Sequence, residues 1–363
     1  MTIRQGFSTI EGMRGDYSQN ALSQDKAIAH GLEKAATQLV APLARDIADA
    51  NKLHIVDLGA ADGVNSFSIV TRFAKEISNS VQEEGCDILV SHLDLPEADL
   101  NALVQNIWHH PASYHQQLQK AGRLRLSSAI LPSSYYKSYL PPDTADIIFG
   151  TVSLHYASRI AAPVSGHVDP LYAQGQDRAA WQKQSVDDLD TIMRHAASAL
   201  RSGGKFWAVA PAHTRGPKGR IGNHWYRELW LTIIDELADL QREGLLEMEA
   251  VENCIIPAHQ RGLDEWRSWF AGNTDLFRLD YLEVVEQENP YLSRYRETHH
   301  DASRFADDYL ASVRAWSEPL FKSLITDTDT RARFFSGLHD AFRQSPDRYA
   351  KDAVNVYVGA TRI

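Results

Sequence analysis

Cysteine is nearly absent: Cys86 and Cys254 are all that the 363-residue chain contains. So few, so far apart, exclude a disulfide framework and a cysteine-rich zinc site, and they suit a reducing compartment. Positive charge is in the minority, with 37 Lys and Arg against 47 Asp and Glu and a formal net charge of -10. No basic cluster is interleaved with aromatics, so nucleic acid is not an expected partner. Long apolar runs are missing as well. The opening residues MTIRQGFSTIEGMRGDYS hold no signal-like apolar stretch, and nothing later reaches the length of a membrane span. The expectation is a cytoplasmic protein without membrane association. Repeats and low-complexity tracts are also lacking.

What remains is a globular composition, 44% apolar and 23% charged, in a chain long enough for two domains or for one α/β domain with a large insertion. Short apolar runs come first. Leu53 to Leu58, Asp87 to Leu93, Arg123 to Ser128, Ala145 to Gly150 and Gly204 to Ala210 read as strands, most of them separated by helix-length intervals. Such alternation predicts a mostly parallel sheet with helices on both faces. Ala353 to Thr361 alternates apolar with small or polar residues and reads as a last, edge strand. Between about Asn223 and Arg343 the pattern turns to amphipathic helices rich in Trp and Phe, such as Trp225 to Leu240 and Phe305 to Ser317. This part is expected to form a helical cap over the carboxyl ends of the strands, where open α/β sheets bind ligands.

The first strand runs into Asp57-Leu58-Gly59-Ala60-Ala61-Asp62-Gly63, followed by a helical pattern with Phe67, Val70, Phe73 and Ile77 at spacings of three and four. A strand, a small-residue turn and a helix bring backbone close to a ligand at a helix N-terminus, with Gly59 and Gly63 as the permissive positions. The spacing is not Gly-x-Gly-x-x-Gly and no Walker lysine is present, which disfavours dinucleotides and triphosphates. An acidic strand end before a small loop suits the amino-acid part of S-adenosylmethionine. The second strand ends in Leu93-Asp94-Leu95-Pro96, placing Asp94 to accept hydrogen bonds from two ribose hydroxyls. Either acid alone would read equally well as a turn cap; on successive strands they favour a nucleoside ligand.

Together these residues resemble the SABATH family of plant-type carboxyl and N-methyltransferases. Asp16 to Asn20 with Gln24 resembles its N-terminal Ser-Tyr-Ala-x-Asn segment, Val56 to Asn65 its Asp-Leu-Gly loop, and Leu93 to Asn101 its Asp-Leu-Pro segment. Leu131 to Pro141 (LPSSYYKSYLP) is similar to its Pro-Gly-Ser-Phe-Tyr segment, and Val152 to Ser158 (VSLHYAS) to its Ser-Leu-His-Trp-Leu-Ser. Trp230 through Gly244 and Arg314 with Glu318-Pro319 continue the order toward the C-terminus.

The resemblance implies a Rossmann-like class I methyltransferase fold, α/β with a mostly parallel sheet, an antiparallel C-terminal strand and an α-helical cap. It implies an S-adenosylmethionine-dependent, homodimeric enzyme that methyl-esterifies a small-molecule carboxylic acid and releases S-adenosylhomocysteine. Expected divisions are 1–222 for the cofactor-binding core with an N-terminal lid, 223–343 for the cap, and 344–363 for the returning strand. Carried over by position, Tyr17, Ser18 and Asn20 cover the cofactor. Asp57 and Gly59 touch its methionine portion, Asp94 with Leu95 its ribose, and Ser134 with Tyr135 its adenine edge; Asp62 and Asn65 are further cofactor contacts. Gln24 and Tyr156 hold the substrate carboxylate, with His155 and Trp230 as further substrate contacts.

A carboxylate has a pKa near ~4 and attacks a sulfonium methyl group without a base, so what the site must supply is orientation. Gln24 and Tyr156 each offer one donor. His155 therefore reads as pocket wall rather than base, a reading to be reopened if the substrate were an amine. Trp207 and Trp225 read as core, and Arg14 as a solvated loop residue. The stretch Glu252 to Pro257 retains one acid of a metal site seen in some relatives, so no required metal is expected; His109-His110 and His299-His300 are adjacent pairs that do not converge on an ion. N-methylation of an aromatic amine, or a non-catalytic binding module on the same fold, are the alternatives.

Overall fold

The computed structural model describes residues 22–46, 52–80, 86–118, 124–216, 220–247, 249, 251, 254–350 and 353–363. Helix α1 (Leu22–Ala35) continues through a π-helical turn (Ala36–Val40) into α2 (Ala41–Asp46). Then follow β1 (Lys52–Leu58), α3 (Val64–Ser78), β2 (Cys86–Asp94), α4 (Leu100–His109), α5 (Tyr114–Leu118), β3 (Leu124–Pro132), β4 (Ala145–Thr151), α6 (Gly175–Ala199) and β5 (Leu200–Pro211). Two short strands, β6 (His213–Arg215) and β7 (Ile221–His224), pair with each other. The chain continues through α7 (Arg227–Arg242), α8 (Leu263–Gly272), β8 (Phe277–Gln287), α9 (Pro290–Glu297), α10 (Ala302–Leu324), α11 (Thr328–Gln344) and β9 (Ala353–Arg362).

The main sheet has seven strands in the order β3-β2-β1-β4-β5-β9-β8. The first five are parallel, and β9 runs antiparallel to both of its neighbours. This is the mostly parallel α/β sheet with an antiparallel C-terminal strand that the sequence predicts. The order reverses between β1 and β4, so the turn after β1 opens at the switch point where such sheets leave a crevice.

Two expectations need correction. Ala353 to Thr361 is not an edge strand: β9 lies between β5 and β8 and all but its last residue are buried. Its Val354, Val356, Val358 and Ala360 join one core while Tyr357 joins the other, and Gly359 leaves room for the Tyr281 ring of β8. The alternation seen in sequence is a double-sided burial that small residues permit. The edge is β8, inside a stretch read as helical. Its FRLDYLEVVEQ has strand periodicity, with charged residues at the positions of lower burial.

Three apolar clusters organise the layers. One face of the sheet packs on α1, α3, α4 and α5 through Phe67, Val70, Phe73 and Ile77, with Trp207 as plain core against Phe73. The other face packs on α6 and α8 through Leu189, Met193, Trp266 and Trp269. The third joins α7, α9, α10 and α11 and reaches Val152, one residue beyond β4.

Candidate active site

The turn after β1 is built by left-handed backbone at Gly59 (φ 78), Ala61 (φ 51) and Gly63 (φ 81). The glycines serve packing more directly than ligand approach. A Cβ on Gly59 would run into the Ser153 side chain, and one on Gly63 would sit 2.6 Å from Leu103 Cδ1 of α4. The Gly59 and Ala60 N–H groups both donate to Leu93 O, at 2.8 and 3.1 Å, locking the turn to the end of β2.

Beneath it lies a buried polar chain. Asp57 Oδ2 accepts the Ser66 hydroxyl and pairs with His92 Nδ1 at 2.9 Å. His92 Nε2 meets the Tyr114 hydroxyl at 2.9 Å, which meets Ser128 Oγ at 2.6 Å. This chain fixes the Asp57 carboxylate by satisfying a buried charge with several partners.

A cavity of about 490 Å³ opens over this turn, between the carboxyl ends of β1, β2 and β4. It brings together Asp57, Gly59, Asn65, Asp94, Leu95, Ser134, Tyr135 and Tyr156 from the expected set. Asp94 Oδ2 accepts the Ala61 N–H at 2.6 Å and Oδ1 the Leu95 N–H at 2.7 Å, and each oxygen retains acceptor capacity. Burial raises the Asp94 pKa, against the pull of those two amides. Asn65 Oδ1 is buried without a hydrogen-bond partner among the described residues. Two carboxylates and an orphaned acceptor on one wall fit a cationic ligand such as a sulfonium or ammonium group.

In the same cavity, the Tyr156 phenol is pushed above its ordinary pKa by burial and then by Asp94, and burial does the same for Tyr135. Both remain protonated donors at neutral pH. Tyr135 donates to Ser153 O at 2.9 Å.

Other expected residues lie elsewhere. Gln24 is buried in the first turn of α1 and does not line the cavity. Asp62 is also off the wall; its Oδ1 accepts the Val64 N–H at 3.3 Å. His155 does not line the cavity; its ring lies 4.2 Å from the Tyr156 ring and edge-on to Trp225, with no partner for Nδ1 among the described residues. Burial, then Arg261 and His259, push His155 down to about 3. Trp230 is core in that cluster, perpendicular to Tyr226 and to Trp316. Arg14, Tyr17, Ser18, Asn20 and Glu252 fall outside the described residues. Among the described residues no group of three His, Cys, Asp or Glu is placed to hold a metal ion.

Sequence reading missed Tyr136 and Ser153 as wall residues. Tyr136 carried a signal, as neighbour of Tyr135 in the same segment. Val152 lines the wall as a β-branched residue at φ 55, its N–H donating to Val209 O at 2.6 Å, a backbone conformation that sequence does not advertise.

A family model described as SAM dependent carboxyl methyltransferase matches residues 7–362. The chain is 26% identical over 315 residues to indole-3-acetate O-methyltransferase 1 of Oryza sativa subsp. japonica, covering 77% of this chain and 74% of that one. It is 21% identical over 367 residues to S-adenosyl-L-methionine:benzoic acid/salicylic acid carboxyl methyltransferase 3 of Petunia hybrida, covering 98% of each. The solved structure of loganic acid methyltransferase with SAH superposes with a TM-score of 0.76 at 15% identity, over 97% of this chain and 98% of that one, which establishes the class I methyltransferase fold.

Proposed function

The chain belongs to the SAM-dependent carboxyl methyltransferase family, and from that premise we propose that it methyl-esterifies the carboxylate of a small organic acid without a general base. The observation that carries the reading is that Asp94 and Tyr156 face one cavity, so an acidic cradle for a cationic methyl donor and a neutral hydrogen-bond donor for an anionic acceptor share the same space.

When bound, S-adenosylmethionine supplies an electrophilic sulfonium methyl group, whose S–C bonding electrons stay on sulfur as the carboxylate O–C bond forms. The chain's own residues hold and orient. Asp57 and Asn65 take the methionine end, Asp94 and Leu95 the ribose, and Ser134 and Tyr135 the adenine; Tyr17, Ser18, Asn20 and Asp62 complete the cover in this reading. Tyr156 donates to one oxygen of the substrate carboxylate, leaving a lone pair of the other oxygen aimed at the methyl carbon. No step needs a proton acceptor, and His155, held neutral and pushed down to about 3, is too weak a base to serve one.

The helices α7 and α9 to α11 act as a cap that excludes water, their core reaching the cavity wall at Val152. The reading extends, by resemblance to the family, to a homodimer and, from the sequence, to a cytoplasmic protein with no required metal.

The test is incubation with methyl-labelled S-adenosylmethionine and a panel of aromatic, indolic, terpenoid and aliphatic acids, followed by alkaline hydrolysis. Label that enters an acid and is released by mild alkali is the expected result. Alkali-stable label in an amine would replace esterification with N-methylation, and failure to bind S-adenosylmethionine at all would overturn both.

A further inference from the structure

The segment that carries Tyr156 follows β4 without regular secondary structure, yet from residue 154 to residue 158 each residue is tied down by a different partner. Arg261 Nη1 donates to Leu154 O at 3.1 Å, and the His259 N–H donates to His155 O at 2.6 Å. The Tyr136 hydroxyl donates to Tyr156 O at 2.6 Å, and the Ala157 N–H donates to Pro257 O at 2.8 Å. The Ser158 N–H and hydroxyl both donate to the Asp188 carboxylate, at 2.9 and 2.7 Å.

These partners are themselves joined. His259 Nε2 meets Asp188 Oδ2 at 2.9 Å, and Gln184 donates to Asp188 Oδ1 at 2.5 Å. Arg261 also donates through Nε and Nη2 to Ser185 O, at 3.3 and 3.1 Å, so one guanidinium spans α6 and the Tyr156 segment. Asp188, His259 and Arg261 are only 3%, 5% and 3% exposed. The Asp188 carboxyl, despite burial, is held below its ordinary pKa by His259 and Ser158, so it stays a charged acceptor.

Stability alone is a poor reason for such a cluster. Replacing buried ion pairs by well-packed apolar side chains is often neutral or stabilising, whereas a satisfied polar network fixes geometry. The geometry fixed here is the backbone on both sides of the one expected substrate contact that faces the cavity.

We propose that Asp188, His259 and Arg261 are positioning residues that set the Tyr156 phenol against the substrate carboxylate. The inference rests on the reading that Tyr156 orients the acid. Its test therefore follows Tyr156 separately from turnover. The enzyme is labelled with 3-fluorotyrosine, the Tyr156 fluorine resonance is assigned with Tyr156→Phe, and Asp188→Asn and the milder Ser158→Ala are compared with wild type. Leu189→Ala, a core truncation next door, serves as the control for general destabilisation. Turnover is measured with an acid labelled in the panel assay, and S-adenosylhomocysteine binding by calorimetry.

Asp188→Asn is expected to displace or split the Tyr156 resonance and lower kcat about 10-fold to 100-fold, the scale of sub-ångström to 1 Å misplacement. Ser158→Ala should move it less. S-adenosylhomocysteine affinity should hold within about twofold, and Leu189→Ala should leave the resonance in place. A Tyr156 resonance unmoved in both Asp188→Asn and Ser158→Ala overturns the positioning role alone. A displaced resonance with unchanged kcat overturns the assignment of Tyr156 to the substrate, and with it the catalytic consequence drawn here.

Discussion

Asp94 accepts the Ala61 amide at 2.6 Å, so the acid at the end of β2 holds the turn at the end of β1 while its carboxylate faces the cavity. One side chain thereby shapes the loop and offers charge to the ligand that the loop surrounds. Asp94→Ala removes both, and hydrogen bonds to a charged group are worth about 1.5–3 kcal/mol. S-adenosylhomocysteine affinity, read by calorimetry, should fall by about 10-fold to 100-fold, with Asp94→Asn in between. An unchanged dissociation constant for the alanine variant would remove Asp94 from the cofactor site.

Gly59 and Gly203 share a left-handed backbone, φ 78 and φ 81, but not surroundings. A Cβ at Gly59 collides with Ser153, whereas nothing lies within 4 Å of one at Gly203. Gly203→Ala should cost only the conformational penalty of about 1–2 kcal/mol, and Gly59→Ala about 1–3 kcal/mol more from overpacking. Urea denaturation of the two variants measures the difference. Equal costs would mean that the Ser153 contact yields freely.

The same contact marks the limit of what sequence discloses. The β1 strand, the glycine turn, the period of Phe67, Val70, Phe73 and Ile77, and Asp94 at the end of β2 were legible because each depends on neighbours in the chain. The place of β9 in the sheet was not, because strand order is decided by long-range pairing with β5 and β8. The strand β8 hid among helices, where its alternation competed with the surrounding helical pattern. Within the site, Asp57, Asn65, Asp94, Tyr135 and Tyr156 meet at one cavity as expected, while Gln24, Asp62, His155 and Trp230 do not line it. Motif position shows which segment approaches a ligand; it does not show which side chains line the site, as Tyr156 on the cavity and adjacent His155 off it demonstrate. The clamp on residues 154–158 comes from 136, 188 and 257–261, separations at which no local pattern operates.

Several histidines are buried against their charge. His155 is pushed down to about 3, and His167, His224 and His259 to about 4, burial being the largest cause in each. Their folded pKa values lie below the ordinary 6.5, so as pH falls from about 6.5 toward 4 the unfolded chain takes up protons that the folded one refuses. Their contribution is complete above about pH 6.5 and is lost on acidification. Asp169 opposes it: burial raises its carboxyl to about 7, so it favours the folded state at low pH and loses that contribution as pH rises from about 4 to 7. Among the described residues six histidines are lowered by burial, His54 and His115 included, against five acids that it raises, Asp25, Asp94, Asp146, Asp169 and Glu236, so the urea midpoint should drop from pH 6.5 to 4.5, and His224→Gln should make that slope shallower. A midpoint constant across the range would show that these histidines are not held neutral.

His155 offers the last and most direct check on the chemistry. With its pKa pushed to about 3, it does not change protonation anywhere near neutrality. The carboxylate acceptor, with a pKa near ~4, is fully ionised there as well. At saturating S-adenosylmethionine, kcat should therefore be level from about pH 7 to about pH 9, without the rising limb that a base of pKa near 7 would give. Replacing the imidazole by His155→Gln should preserve that level profile, whatever it does to KM through the Tyr156 ring beside it. A rising limb near neutrality that disappears in His155→Gln would restore the histidine as a base, and would turn the substrate from an acid toward an amine or another acceptor that must lose a proton.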